Sequence, residues 1–234
     1  MQIQKNNSNP NKQNLSNRDE KLFINKFLDS FKNKNSGLAE YFYDNVNSLK
    51  TIYKVAKLAK NAQPSVQEKV FSLFHSIILE NRQFLEKKYF IGAFNYPDNY
   101  WLAQACLIGC IGFTIQQVDK LLAEIALDKN FLPNIRTICL SGLFLRSGII
   151  NGFNSKDNVE IFDRIINDKT EKDNFVVGYA YKYYLLYNIL TKENNFIYKT
   201  NYWKKFISNS EFSSKVLKKE ISSEINSLRK YYSI

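Results

Sequence analysis

Apolar residues recur every three or four positions through most of the chain beyond residue 17, in blocks that short polar breaks separate. That spacing places apolar side chains on one face of an α-helix. Only 8 glycines and 4 prolines occur in 234 residues, too few for the turns of a sandwich or barrel of short strands. The pattern predicts an all-α protein in which residues 18–234 form a single domain of roughly ten helices.

Several polar breaks contain residues that can begin a helix. Ser65 and Glu68 have the spacing of a capping box, which predicts a helix over residues 65–81. Short side-chain acceptors also follow the prolines of the next two breaks, where they can bind the unpaired N–H groups of a first helical turn. The residues expected to cap these two helices are Asp98 or Asn99, and Asn134.

The segment NFVVGYAYKYYLLYNIL, residues 174–190, contains five of the chain's 15 tyrosines. In a helix it would have one apolar stripe, formed by Val176, Ala180, Tyr183, Tyr187 and Leu190. Only Lys182 and Asn188 are strongly polar, whereas a surface that stacks on nucleic-acid bases needs several cations beside its aromatic rings. We therefore predict a helix packed between neighbours, with its tyrosine hydroxyls at the edges.

A short motif recurs along the chain. Superposing QACLIG, residues 104–109, on TICLSG, residues 137–142, aligns Cys106 with Cys139 at an offset of 33 residues. A second superposition, at an offset of 41 residues, aligns Cys139 with Ala180. Recurrence of this kind is typical of arrays built from one repeated helix pair.

The segment PNIRTICLSGLFL, residues 133–145, resembles the second helix of a HEAT-type repeat. A proline near the helix start is followed by an aliphatic–arginine pair, Ile135 and Arg136, and then by small and large apolar residues. The resemblance extends over roughly residues 99–190. It implies an α-solenoid of stacked antiparallel helical hairpins, whose extended concave surface usually binds a partner.

Composition bears on where the protein is found. Residues 1–17 are nearly free of apolar side chains and are predicted to form a disordered tail, without the apolar stretch of a secretory signal. The longest uncharged apolar run, residues 101–115, has 15 residues, short of the roughly 20 that span a bilayer. The three cysteines are an odd number in apolar surroundings, which favours a reducing compartment. We therefore expect a cytoplasmic protein that is not integral to a membrane.

The net charge of +11 is concentrated at the two ends of the chain. Basic residues outnumber acidic ones by 11 to 5 in residues 1–60 and by 7 to 3 in residues 201–234, against 15 to 14 between them. Lysines at both ends are candidates for binding phosphate or anionic lipid, although solvated helix faces show the same pattern. These basic candidates are Lys50, Lys54, Lys57, Lys60, Lys204, Lys205, Lys215, Lys218 and Lys219. A second set of candidate binding residues, aromatic or polar, comprises Trp101, Arg136, Lys182 and Trp203.

Residues that could perform catalysis are scarce. The single histidine, His75, lies in an apolar helical pattern, as a packed boundary residue does. Cys106, Cys110 and Cys139 could join His75 in a zinc site, but two of them occupy the repeat position at which Ala180 also stands. No glycine-rich loop follows a strand pattern, so no nucleotide site is indicated. We predict no catalytic residue, metal site or cofactor.

These patterns lead to two main hypotheses. The first is a non-catalytic protein-interaction module, an adaptor or inhibitor, that binds its partner on the concave face of the α-solenoid. The alternative is a nucleic-acid-binding protein that uses its basic terminal helices. Some bacterial alkylpurine DNA glycosylases are similar in size, basic charge and HEAT-like architecture, so the alternative includes a repair glycosylase. Contact between the helix over residues 50–60 and an anionic membrane surface is a third hypothesis.

Overall fold

The computed structural model describes residues 49–90, 97–149 and 156–191, together with Lys219, Ser223 and Asn226. Most of these residues are helical, and none of them belongs to a β-strand beyond one isolated bridge between Glu86 and Phe131. The described part of the chain is therefore all-α, as predicted, while the predicted tail of residues 1–17 lies outside it. The helices are α1 (Leu49–Ala59), α2 (Pro64–Glu80), α3 (Asp98–Cys110), α4 (Gln116–Leu127), α5 (Pro133–Ile149), α6 (Lys156–Asn167) and α7 (Asn174–Leu190). Two short 3₁₀ turns span Arg82–Leu85 and Lys87–Tyr89.

The start of α2 is marked by a proline rather than by a side-chain cap. The helix begins at Pro64, directly before Ser65, and the preceding Gln63 makes no side-chain capping bond. Proline at the first helical position has no N–H group for a cap to satisfy, and its fixed φ suits the first turn. The predicted capping box at Ser65 is therefore wrong, although the helix lies within one residue of its predicted bounds.

The next two predicted caps are also wrong. α3 begins at Asp98, directly after Pro97, and has no side-chain capping bond. Asn134 is the second residue of α5, and its Nδ2 donates to the hydroxyl of Tyr100 at 2.6 Å. Asn134 therefore joins α5 to α3 and does not cap its own helix.

The helices pack in consecutive pairs, α2 on α3, α4 on α5 and α6 on α7. The later helices of these pairs also contact one another, since α5 packs on both α3 and α7. In addition, α3 packs on α1. Among the earlier members, α4 contacts α6. We call α2, α4 and α6 the first helices, and α3, α5 and α7 the second helices.

One apolar core runs from α1 to α7, and glycines allow the closest approaches within it. A Cβ atom on Gly109 of α3 would lie 3.0 Å from the Cβ of Ala56 in α1. A Cβ atom on Gly142 of α5 would lie 3.0 Å from side-chain atoms of Ile111 and Leu122. Both distances are shorter than ordinary van der Waals contact, so a larger residue at either position would require its neighbours to shift by a few tenths of an ångström.

The tyrosine-rich segment forms α7 over the predicted range. Tyr181, Tyr183 and Tyr187 are buried. Tyr183 stacks on Phe144 of α5, with ring centroids 5.1 Å apart, and also lies 6.0 Å from the ring of Phe162 in α6. These tyrosines therefore pack α7 against its neighbours, as the sequence predicted.

Candidate functional site

Four of the candidate lysines lie on α1 or directly after it. Lys50, Lys57 and Lys60 are exposed and Lys54 is half-buried, whereas the opposite side of α1 is buried in the core. Tyr53 is exposed on the same helix. We call these four lysines the lysine face. Three of the four are exposed to solvent, and the binding of phosphate or lipid by the lysine face stays a prediction.

The remaining surface candidates are only partly described. Lys219 is helical and exposed. Trp101 is 43% exposed and packs edge-to-face on Tyr100, with ring centroids 5.0 Å apart. The candidates that lie outside the described residues are Trp203, Lys204, Lys205, Lys215 and Lys218.

Two residues that the sequence assigned to a binding surface are buried instead. Arg136 is 0% exposed and Lys182 is 8% exposed. The ammonium group of Lys182 lies 5.5 Å and 5.6 Å from the ring centroids of Tyr179 and Tyr183, where cation–π attraction offsets part of the cost of burial. Arg136 forms an ion pair with Glu171 inside the fold. The surface assignment is wrong for both residues because each finds its partner in the interior.

A second buried arginine, Arg146 of α5, is one that the sequence does not single out. Its Nε and Nη2 donate to the two carboxylate oxygens of Asp119, at 2.8 and 2.9 Å. Its Nη1 and Nη2 also donate to backbone carbonyls at the connection between α3 and α4, which belong to Ile111, Phe113 and Ile115. Every nitrogen of this guanidinium therefore has an acceptor, and α5 is held to the start of α4 by strong charge-assisted bonds.

The same polar network reaches α6 through Asn158. Its Nδ2 donates to the hydroxyl of Ser147 at 2.9 Å and to the carbonyl of Leu143 at 3.3 Å, and lies 3.4 Å from a carboxylate oxygen of Asp119. Asn158 and Ser147 are both buried. Hydrogen bonds therefore connect α4, α5 and α6 in addition to apolar packing, which fixes one arrangement of the three helices.

Arg136 lies ten residues before Arg146 on the same helix. Its Nε donates to the carbonyl of Ala126 in the last turn of α4 at 2.8 Å, and its Nη2 donates to Glu171 at 2.6 Å. Its Nη1 is buried and has no acceptor among the described residues. Burial alone would raise the pKa of Glu171, but hydrogen bonds from Arg136 and from the Asp173 backbone outweigh it and leave that pKa below its ordinary value.

A cleft of about 460 Å³ opens beside Arg136, and we call it the Arg136 cleft. On its rim Lys129 pairs with Asp168, with Nζ 2.5 Å from Oδ2, and also contacts the hydroxyl of Thr170. Hydrogen bonds from Lys129 and Thr170 hold the pKa of Asp168 well below its usual range. The polar residues that line the cleft are Arg136, Asp163, Arg164, Asn167, Asp168 and Glu171.

A smaller cavity of about 120 Å³ contains His75, between α2 and α4. The imidazole stacks on Phe71 of its own helix, with ring centroids 5.5 Å apart. Asp128, which also lines this cavity, is engaged by Arg82 at 2.6 Å. The contacts of His75 are therefore those of a helix residue at the edge of the core.

The three cysteines, Cys106, Cys110 and Cys139, are all buried. Burial raises the pKa of each thiol, and it outweighs the opposing effect of Arg146 on Cys110 and of Arg136 on Cys139. Because the thiolate is the reactive form, these thiols are poor nucleophiles in the folded protein. Within the described ranges, no group of three or more acidic, histidine or cysteine side chains is placed to hold a metal ion.

The second helices expose little charge. Three of the four charged residues on these helices are buried, namely Arg136, Arg146 and Lys182. Large apolar side chains are exposed there instead, and they are Trp101, Leu145 and Phe175. The first helices differ, since each has exposed charged residues, among them Glu68, Lys69, Lys120, Glu124, Glu160 and Arg164. We call the exposed side of α3, α5 and α7 the second-helix surface.

No known protein family, characterised protein or solved structure matches this chain. Among the helices in the described ranges, none combines the length and the apolar character needed to cross a bilayer. The function of the protein is therefore inferred from the second-helix surface, the lysine face and the Arg136 cleft.

Proposed function

We propose that this protein is a non-catalytic interaction module, an adaptor or inhibitor, that binds a partner protein on the second-helix surface. The observation that carries this proposal is the burial of Arg136, Arg146 and Lys182 on helices that expose Trp101 and Phe175. The centres of protein–protein interfaces are depleted in charge and enriched in aromatic residues, since charges are costly to desolvate. The second-helix surface has this composition and the first helices do not.

We further propose that the second helices form the concave side of a HEAT-like α-solenoid. The repeat offsets of 33 and 41 residues align Trp101 with Asn134 and Phe175, and all three residues are exposed near the starts of their helices. Asn134 donates a hydrogen bond to Tyr100, the residue directly before Trp101, and so links the starts of α3 and α5. A second set of aligned positions, Cys106, Cys139 and Ala180, is fully buried. Equivalent positions with equal exposure are expected of stacked repeats.

The buried arginines also favour a surface that is formed before the partner binds. Arg146 joins α5 to α4 through Asp119, and Asn158 extends the same network to α6. Hydrogen-bonded helices lose little conformational freedom on association, so less binding free energy is spent on ordering them. We therefore expect recognition to occur without refolding of the second helices.

Affinity capture with matched charge substitutions tests this function. Trp101→Glu places a carboxylate on the second-helix surface, whereas Leu79→Glu places one on α2 at a residue that is 53% exposed. We expect the wild type and L79E to capture the same discrete partner, and W101E to capture at least about tenfold less of it. Equal capture by both variants would overturn the assignment of the partner to the second-helix surface.

The lysine face supports a second candidate function, nucleic-acid binding. Lysines spaced three or four residues apart on one helix face, three of them exposed, can neutralise several phosphates, and such binding weakens steeply with salt. Fluorescence anisotropy of labelled DNA and RNA, measured up to about 150 mM salt, tests it against a variant in which the four lysines are changed to glutamine. Binding that survives this salt and is lost in the variant would favour nucleic acid. Binding only to anionic vesicles would favour a membrane surface.

A further inference from the structure

The two buried arginines of α5 differ in how fully they are hydrogen-bonded. Each nitrogen of the Arg146 guanidinium donates to at least one acceptor. Arg136 is buried as deeply, yet its Nη1 has no acceptor in the described part of the chain. A buried donor without an acceptor is costly, because it has lost its bonds to water and gained none in return. This nitrogen is therefore suited to an acceptor that another molecule supplies.

Two further charged residues line the Arg136 cleft. Asp163 and Arg164 are exposed on α6 and line the cleft, and neither forms an ion pair with a described residue. The other two carboxylates of the cleft are already paired, one with Arg136 and one with Lys129. A ligand can therefore bind to donors on Arg136 and Arg164 and to the carboxylate of Asp163.

Two helix ends also face the cleft. Leu127 is the last residue of α4 and Asn167 is the last residue of α6, and both line it. Backbone carbonyls at the C-terminal end of a helix carry partial negative charge, which favours a cation. A ligand with only an anionic group would leave Asp163 without a cationic partner, whereas one with only a cationic group would leave Arg136 without an acceptor. A molecule that carries both charges satisfies both sides of the cleft.

We propose that the Arg136 cleft binds a small zwitterion of the α-amino-acid class. The carboxylate of the ligand accepts hydrogen bonds from Nη1 of Arg136 and from Arg164, and its ammonium group faces the carboxylate of Asp163. The cleft volume of about 460 Å³ lies in the lower part of the range for small-molecule sites. This size suits a single amino acid better than an extended peptide. The site is separate from the second-helix surface and does not depend on the function proposed for it.

Titration of the full chain with the common amino acids, followed by calorimetry, tests this proposal. Acetate and methylammonium, which each carry only one of the two charges, are the comparison ligands. We expect at least one amino acid to bind with a Kd below about 1 mM, and at least about tenfold more tightly than either comparison ligand. The proposal is overturned if no amino acid binds, or if acetate binds as tightly as the best amino acid.

Substitutions on the exposed rim then locate the binding site. Arg164→Gln and Asp163→Asn each remove one charge offered to the ligand and disturb no buried pair, so each should weaken binding at least about tenfold. Glu160→Gln, exposed on the same helix and outside the cleft lining, is the matched control and should bind as the wild type does. Unchanged affinity in both R164Q and D163N would overturn the site. Arg136→Gln also breaks the buried pair with Glu171, so the rim variants carry the test.

Discussion

Arg146 and Asp119 form a two-point ion pair that fastens α5 to the first turn of α4, with nitrogen–oxygen distances of 2.8 and 2.9 Å. The Arg146 side chain is 1% exposed and that of Asp119 is 22% exposed. The same guanidinium also donates to backbone carbonyls in the segment that connects α3 to α4. The pair therefore stabilises the junction of three helices by satisfying groups that would otherwise be buried without partners.

Removing the carboxylate of Asp119 should destabilise the protein strongly. Asp119→Ala leaves the Arg146 charge buried and unpaired, and we expect the free energy of unfolding to fall by about 3 kcal/mol. This value is at the low end for a broken buried pair, because Arg146 keeps its carbonyl acceptors and Asp119 is partly exposed. Urea unfolding measures the change, with the exposed Glu160→Ala as a control expected within about 0.5 kcal/mol of wild type. A D119A effect as small as the control would contradict the role of the pair.

The Arg136–Glu171 pair predicts a dependence of stability on pH. The pKa of Glu171 in the folded protein lies below its ordinary value of 4.5, so the ionised carboxylate stabilises the native state. That contribution is present above about pH 4.5 and is lost as the pH falls through the lowered pKa. In the Glu171→Gln variant a neutral amide replaces this carboxyl group, so the pH-dependent contribution is absent. The difference in unfolding free energy between wild type and E171Q should therefore be largest near neutral pH and shrink in acid. A difference that stays constant down to about pH 3 would argue against the lowered pKa.

The buried cysteines should resist a thiol reagent in the folded state. Cys106 and Cys139 lie in the core, and burial raises the pKa of both thiols, so little thiolate is present at neutral pH. We expect labelling to be slow in buffer and rapid in urea, where all three cysteines react. Mass spectrometry over a time course measures the labelling rate in buffer and in urea. Rapid labelling of Cys106 and Cys139 without denaturant would be incompatible with their packing between helices.

Glycine-to-alanine substitutions should show where the helices approach most closely. The added Cβ at Gly109 would lie 3.0 Å from Ala56 and 3.2 Å from Phe74. We expect Gly109→Ala to destabilise the protein by about 1–3 kcal/mol, since these neighbours are themselves packed in the core. Gly112→Ala is the matched control, because its Cβ would meet only the flexible side chain of Lys60. Equal thermal stability of G109A and wild type would mean that α1 and α3 are less tightly packed than described.

Local features of the fold could be predicted because they depend on local patterns. The bounds of α7 were predicted correctly, and those of α2 to within one residue at each end, since the apolar period of each segment is continuous. The solvent-facing lysine face followed from the same periodicity. The helix caps were wrong because a proline lies at the start of each helix, as the first residue at Pro64 and Pro133 and directly before the first residue at Pro97.

The buried polar network could not be predicted because its partners are distant in the chain. Arg136 pairs with Glu171, 35 residues away, and Arg146 pairs with Asp119, 27 residues away. Only the packing of α5 against α4 and against the connection between α6 and α7 brings these groups together. One signal was present, since Arg146 follows the apolar run LFL within a helix, and an arginine in such surroundings requires buried acceptors.

We propose that the partner binds on the second-helix surface, and site-specific photo-crosslinking tests this position most directly. A photoreactive phenylalanine analogue at Trp101 or Phe175, which are 43% and 48% exposed, places the probe on the second-helix surface. The same analogue at Leu79 places it on a first helix with similar exposure. We predict that Trp101 and Phe175 give discrete adducts with one partner protein, and that Leu79 gives none. Adducts of that partner from Leu79 and from neither Trp101 nor Phe175 would contradict the claim.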